Sequence, residues 1–285
     1  MWRPFLFWAG LIPSLVLLAV VFFERWQRKR RGERPPLTEK LLRPSGRTLQ
    51  CKLEDLNDTN NLQLVGTFIF SLAAVGCFSF VPTTYIGRII FLTVFGLCAA
   101  GCTVMAWRTL LKIRNYRRGL LGEQAVAEQL QRLLPLGYRV FHDLPGDGKW
   151  NIDHAVVGPA GVFAIETKYR TKTPGKTGER DHEANFDGNK IHFPSGYDAE
   201  APEQARRNAQ WLANMLSKAT GERVTVRPIV ALPGWWVTLK ANSEVKVLSG
   251  KQVPQFISTE PAQLSDKTVQ QISYQLEQRC RDVEI

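Results

Sequence analysis

Asn151-Ile152-Asp153-His154-Ala155-Val156-Val157-Gly158-Pro159-Ala160-Gly161-Val162-Phe163-Ala164-Ile165-Glu166-Thr167-Lys168 is the stretch that decides how this chain folds. Ile152 to Val157 and Val162 to Lys168 are short, β-branched and apolar runs around Gly-Pro-Ala-Gly, the pattern of two strands joined by a turn. A tight turn centred between Pro159 and Ala160 pairs Val157 with Val162 and, continuing outward, Asp153 with Glu166, their Cβ atoms about 5 Å apart. Side chains alternate along a strand, so Lys168 shares the face of Glu166 while Thr167 points the other way. A left-handed bulge at Gly161 would instead slip the register by one residue and set Asp153 opposite Thr167.

Two carboxylates facing each other in an apolar sheet repel, and a divalent cation between them removes the repulsion. Oxygen ligands completed by water suit Mg²⁺, with Mn²⁺ as a substitute. A lysine within reach can hold a phosphate oxygen, orient an attacking water or offset developing charge. Asp153, Glu166 and Lys168 together therefore suit metal-assisted phosphodiester hydrolysis. Taken alone, the same three residues also read as an acid at a strand start and a solvated Glu/Lys pair at a strand end.

The pattern resembles the PD-(D/E)XK nuclease superfamily and, more closely, its nuclease-related domain family, NERD. The matching residues are Gly119-Leu120-Leu121-Gly122-Glu123 and Val126, then Asn151-Ile152-Asp153-His154, Val157-Gly158-Pro159, Gly161-Val162-Phe163 and Ile165-Glu166-Thr167-Lys168, and later Pro202-Glu203-Gln204 to Leu212. The likeness covers about residues 119 to 233, with the motifs in order. It implies a restriction-endonuclease-like α/β fold, a mixed sheet flanked by helices. It also implies that Asp153 and Glu166 hold the metal, joined by the backbone carbonyl of Thr167, and that Lys168 acts on the water or the scissile phosphate. Glu123 from a first helix and Gln204 from a later one would point toward the site. Asn151-Ile152 stands where the superfamily's eponymous proline would precede Asp153.

Each supporting residue also has a structural reading. Glu123, early in an expected helix from Gly122 to Leu134, would suit the helix dipole without any catalytic role. His154 falls on the strand face opposite Asp153, as a packed or hydrogen-bonded histidine. Gln204 follows Pro202 and Glu203, residues that suit a helix start.

The N-terminal part reads as membrane. Phe5 to Phe23, Leu62 to Val81 and Ile89 to Trp107 are each about long enough and apolar enough to cross a bilayer. Glu24-Arg25-Trp26-Gln27-Arg28-Lys29-Arg30-Arg31 follows the first run directly, which marks an uncleaved anchor (residues 1 to 23). The expected order is that anchor, a basic cytoplasmic loop (24 to 61), a helical hairpin (62 to 107, spans 62–81 and 89–107), a basic connector (108 to 118) and the nuclease-related domain (119 to 285). Basic residues flank the first and third spans on one side, placing the N-terminus outside and the large domain in the cytoplasm. The spans carry no internal charge, which disfavours a transporter.

The net charge of +11 invites a nucleic-acid reading, but residues 119 to 285 hold 20 Lys plus Arg and 20 Asp plus Glu, so the excess lies wholly in residues 1 to 118. Membrane topology and contact with anionic lipids account for it. The basic stretch Arg170 to Arg180 could track phosphates beside the site or be a solvated loop. The five cysteines form no disulfide pattern and no zinc spacing is present. Gly175-Lys176-Thr177 lacks the first glycine of a phosphate-binding loop, Arg170 standing in its place.

Downstream, the sequence predicts a strand at Tyr138 to His142 and a small hairpin at Asn185 to Ile191 with an Asp-Gly turn. A helix at 203 to 218, strands at Val224 to Leu232 and Glu244 to Leu248, and a last helix at Ser265 to Arg281 complete the domain. Trp235 and Trp236 are core residues or a base-stacking platform. The functional expectation is a membrane-anchored, Mg²⁺-dependent nuclease acting on DNA or RNA. The competing expectation is a catalytically silent, membrane-tethered module that binds nucleic acid or regulates.

Overall fold

The computed structural model describes residues 40–80, 84–148, 150–172 and 182–283, together with Phe23 and Gln27. The chain divides into two units, one of residues 1–38 and 54–114 and one of residues 39–53 and 115–285.

In the first unit, helix α1 (Arg47–Phe80) contributes its part beyond Leu53 and helix α2 (Tyr85–Leu130) its part up to Arg114. Among the described residues one helical stretch, Tyr85–Leu136, is long and apolar enough to cross a membrane, and only 6% of its most apolar window is buried. Of the three expected spans, this stretch contains the third, Ile89 to Trp107. Phe5 to Phe23 lies outside the described residues except for Phe23, and Leu62 to Val81 runs from α1 into positions outside them. Nor is 24 to 61 a loop throughout: α1 begins at Arg47, fifteen positions before the apolar run, and its first turns carry polar residues such as Asp55 and Asp58. The connector 108 to 118 is likewise uninterrupted helix within α2.

The second unit is built on a five-stranded mixed sheet in the order β10-β8-β4-β3-β2. Its strands are β2 (Arg139–Pro145), β3 (Asn151–Gly158), β4 (Gly161–Thr167), β8 (Val226–Leu232) and β10 (Lys246–Ser249). β2, β3 and β4 form an antiparallel meander, and β8 and β10 continue parallel to β4. The hairpin register is the expected one: Gly158 pairs with Gly161, Val157 with Val162 and His154 with Ile165. Gly161 sits at φ +126°, where a Cβ is unfavourable, yet it closes the two-residue turn without slipping the strands.

Alternation along β3 and β4 sends side chains to two cores. Ala155, Val157, Val162 and Ala164 pack with Leu212 and Leu216 of helix α3 (Glu200–Thr220) and Ile272 and Leu276 of helix α5 (Asp266–Cys280). Val156, Phe163 and Ile165 pack with Val126 and Leu130 of α2 and Val253 and Ile257 of a short helix α4 (Gln252–Thr259). Both faces are covered, which is why β3 and β4 read as nearly continuous apolar runs.

A second sheet, β7-β6-β5-β9, comprises β5 (Glu183–Phe186), β6 (Ile191–Phe193), β7 (Gly196–Asp198) and β9 (Trp236–Leu239). It contains the expected Asp187-Gly188 hairpin between β5 and β6. Trp235 is buried in the core beneath this sheet, whereas Trp236 is exposed. A two-stranded ribbon pairs β1 (Leu41–Leu42) with β11 (Arg281–Val283), tying the residues just before α1 to the C-terminal end.

Candidate active site

Beyond His154 and Ile165 the β3 and β4 strands continue to Asp153 and Glu166, both buried. The backbone N–H of Thr167 donates to Oδ2 of Asp153 at 2.7 Å. Glu166 accepts from Nδ2 of Asn208 at 3.1 Å, and Asn208 is itself buried on α3. Lys168 lies one residue past the end of β4. Its amine reaches Oδ2 of Asp198 at 3.4 Å, and 38% of its side chain is exposed, so it stands at the mouth while the carboxylates lie beneath.

Glu123 joins this pair electrostatically from α2. Burial, and then the nearby charges of Asp153 and Asp143, push its carboxyl up to about 9. Burial raises Asp153 to about 7, against the opposing pull of the Thr167 N–H. Glu166 is held well above the usual carboxylate range by burial first and by Asp153 next, with Lys168 opposing. The helix-dipole reading of Glu123 does not hold, because α2 begins at Tyr85, many turns before Glu123, and the dipole acts only near a helix end.

A fourth acid, Asp143 on β2, is fully buried at φ +49°, a conformation rare outside glycine. It is saturated with donors: Nη1 of Arg43 at 2.8 Å, Oγ1 of Thr48 at 2.8 Å, the N–H of Thr48 at 3.2 Å and Nδ2 of Asn151 at 2.9 Å. Thus the segment just before and at the start of α1 is part of the site's wall. Gly46, at φ +72°, makes its passage possible, since a Cβ there would meet Leu120 and come within 3.5 Å of the Glu123 carboxylate. Sequence reading missed Arg43, Thr48 and Asp143. The contacts join residues about a hundred positions apart, and the basic side chain had been counted toward topology.

On the other strand face, His142 and His154 place their Nδ1 atoms 2.9 Å apart, one donating to the other. Burial lowers His142 to about 4 and holds His154 well below the ordinary histidine range. His154 is the packed, hydrogen-bonded residue expected. Gln204 lines a cleft of about 390 Å³ together with Trp150, Asn151, Arg207, Asn208 and Trp211. The α3 residue that bonds a carboxylate is Asn208, one turn beyond Gln204, and its place on the Gln204 face of the helix was the available signal. The basic stretch after Lys168 lies largely outside the described residues.

These groups suit a hard cation. Two carboxylates crowd at adjacent strand ends, and among the described residues buried Oε2 of Glu123 lacks a hydrogen-bond partner, an orphan that a proton or cation satisfies. Among the described residues, however, no three Asp, Glu, His or Cys side chains are grouped to hold a metal by themselves. An ion here would rest on Asp153 and Glu166, with backbone and water oxygens completing its shell.

No curated protein and no solved structure matches the chain. Residues 118–233 match the family model of the nuclease-related domain, NERD. That segment, from the end of α2 through β8, contains Glu123, Asp153, Glu166, Lys168 and Gln204, so the buried carboxylates lie within the stretch that is similar to the nuclease-related domain.

Proposed function

We propose that the second unit hydrolyses phosphodiester bonds of DNA or RNA with Mg²⁺ or Mn²⁺ held by Asp153, Glu166 and the carbonyl of Thr167. The observation that carries this reading is the juxtaposition of buried Asp153 and Glu166 at the ends of paired strands, with the Lys168 amine at the mouth above them. When bound, the cation supplies Lewis acidity toward the phosphate and lowers the pKa of a bound water.

The chain's own residues supply the rest. Thr167 N–H and Asn208 fix one oxygen each of Asp153 and Glu166, so the free oxygens point to a defined place. Lys168 holds a phosphate oxygen and offsets charge that develops there. Glu123, protonated at neutral pH, spares the pair a third negative charge. Gln204 faces the nucleic acid from the neighbouring cleft.

We further infer that the domain is tethered to a membrane by the apolar run Ile89 to Trp107 of α2, a helix whose most apolar window is only 6% buried, with Phe5 to Phe23 and Leu62 to Val81 as additional spans. The basic residues that follow the first and third runs orient the N-terminus outward and the nuclease-related domain toward the cytoplasm, against anionic lipids. Full-length protein in detergent, supplied with Mg²⁺ or Mn²⁺ and single- or double-stranded oligonucleotides, should cleave. Binding without cleavage under all these conditions would favour the silent, regulatory reading.

A further inference from the structure

The cleft beside Glu166 has a chemical character that hydrolysis alone does not require. Two tryptophans form one wall: Trp150 and Trp211 meet edge to face with ring centroids 4.9 Å apart. Trp211 is fixed in place, its indole N–H donating to Oδ2 of Asp147 at 2.8 Å and the Arg279 guanidinium lying 4.9 Å from its ring centroid. Arg279 in turn bonds Asp147 at 2.6 Å, which closes a three-membered brace behind the ring. Trp150 is 39% exposed, a large apolar surface to leave in water.

Planar amides supply the opposite chemistry. Asn151, Gln204 and Asn208 line the same cleft, with the Arg207 guanidinium among them. Amides pair with the hydrogen-bonding edges of bases, and guanidinium groups bind phosphates or stack on rings. A volume of about 390 Å³ lies within the range of small-ligand pockets, about 300–1,000 Å³. Asn208 ties the cleft to the carboxylates, since its Nδ2 bonds Glu166 while the residue also lines the cleft.

We propose that this cleft receives one unpaired nucleobase of a single-stranded nucleic acid, stacked on Trp150, which Trp211 braces edge to face, placing the adjoining phosphate at the carboxylate pair. The inference rests on the nuclease reading and narrows it to single-stranded or unpaired substrate. A stacking platform tolerates any base, so the sequence preference is weak. Arg207, paired with exposed Glu200 at 2.6 Å, exchanges that partner for the strand's phosphate.

The test separates binding from cleavage. Full-length protein in detergent, with EDTA present, is titrated with a single-stranded oligonucleotide, its duplex and an abasic strand of equal length, following tryptophan fluorescence and anisotropy. The single strand should bind at least tenfold tighter than the other two and quench fluorescence. Trp150→Ala should weaken it by about tenfold or more, while Trp150→Phe retains most of the affinity. Binding is read in EDTA and cleavage separately in Mg²⁺, so the two losses are read independently, and Tyr274→Ala, at an exposed position outside the cleft, should bind like the wild type. Single-strand binding with this mutational pattern but no cleavage in Mg²⁺ would support the cleft and overturn only the hydrolytic reading. Equal affinity for single strand and duplex, for abasic and intact strand, or for wild type and Trp150→Ala would overturn the cleft.

Discussion

The N–H of Thr167 donates to Oδ2 of Asp153 at 2.7 Å, so the residue between Glu166 and Lys168 is also the one that aims the aspartate. Asp153→Asn keeps a carbonyl oxygen able to accept this bond and removes the charge. Because burial raises the Asp153 carboxyl to about 7, the substitution should leave the melting temperature of metal-free protein unchanged or raise it. Cleavage should fall at least about a hundredfold, the scale of losing one electrostatic group at a reacting centre. Thermal unfolding and initial rates on the same preparation measure both.

Glu123 predicts a pH dependence of stability. Its folded carboxyl is raised from 4.5 to about 9, so the native state binds the extra proton. The stabilisation is fully present below about pH 4.5 and is lost as pH rises toward 9 and beyond. Metal-free protein should therefore melt at progressively lower temperature from pH 5 to pH 9, and Glu123→Gln should flatten that decline. A steeper decline in the variant contradicts the assignment.

Asn208 offers a graded series. Asn208→Ala removes the donor to Glu166 from a buried site and should cost roughly 1–3 kcal/mol of stability. Asn208→Asp introduces another buried acid beside Glu166 and should cost more at pH 8 than at pH 5. Denaturant titrations at the two pH values distinguish the variants.

Arg43 and Thr48 test whether the segment before α1 belongs to the folded domain. Arg43→Ala leaves the buried Asp143 charge without its guanidinium, a loss of about 3 kcal/mol or more. The paired change Arg43→Ala with Asp143→Asn should recover part of it. If Arg43→Ala is neutral, the segment is not a structural wall of the site.

The hairpin was legible because two β-branched apolar runs flank a two-residue turn, and the turn fixes the register. Asp153 and Glu166 therefore fell where arithmetic put them, and Lys168 beyond them. The final helix was legible from its helical spacing of apolar residues, and β8 from a short apolar run that ends at Pro233-Gly234. Asn208 was not, since an amide in a polar helix announces nothing until the strand beneath it is placed. Neither was Asp143: its meaning depends on Arg43 and Thr48, nearly a hundred residues away, and no local pattern encodes such a pairing. The small sheet was half legible. Its β5–β6 hairpin carries a turn signal, but the parallel pairing of β5 with β9 joins segments fifty residues apart. Helix α1 started earlier than expected because polar residues such as Asp55 and Asn57 are compatible with helix, and only the apolar run beyond them had been used as a marker.

The central claim is that Asp153 and Glu166 form a metal-dependent phosphodiesterase site. Its most direct test is cleavage of a labelled single-stranded oligonucleotide by the full-length protein in Mg²⁺ or Mn²⁺, beside Asp153→Ala and Glu166→Ala. Cleavage by the wild type that EDTA abolishes and both variants lose is the predicted result. No cleavage by the wild type with either metal, or equal cleavage by the variants, would contradict it.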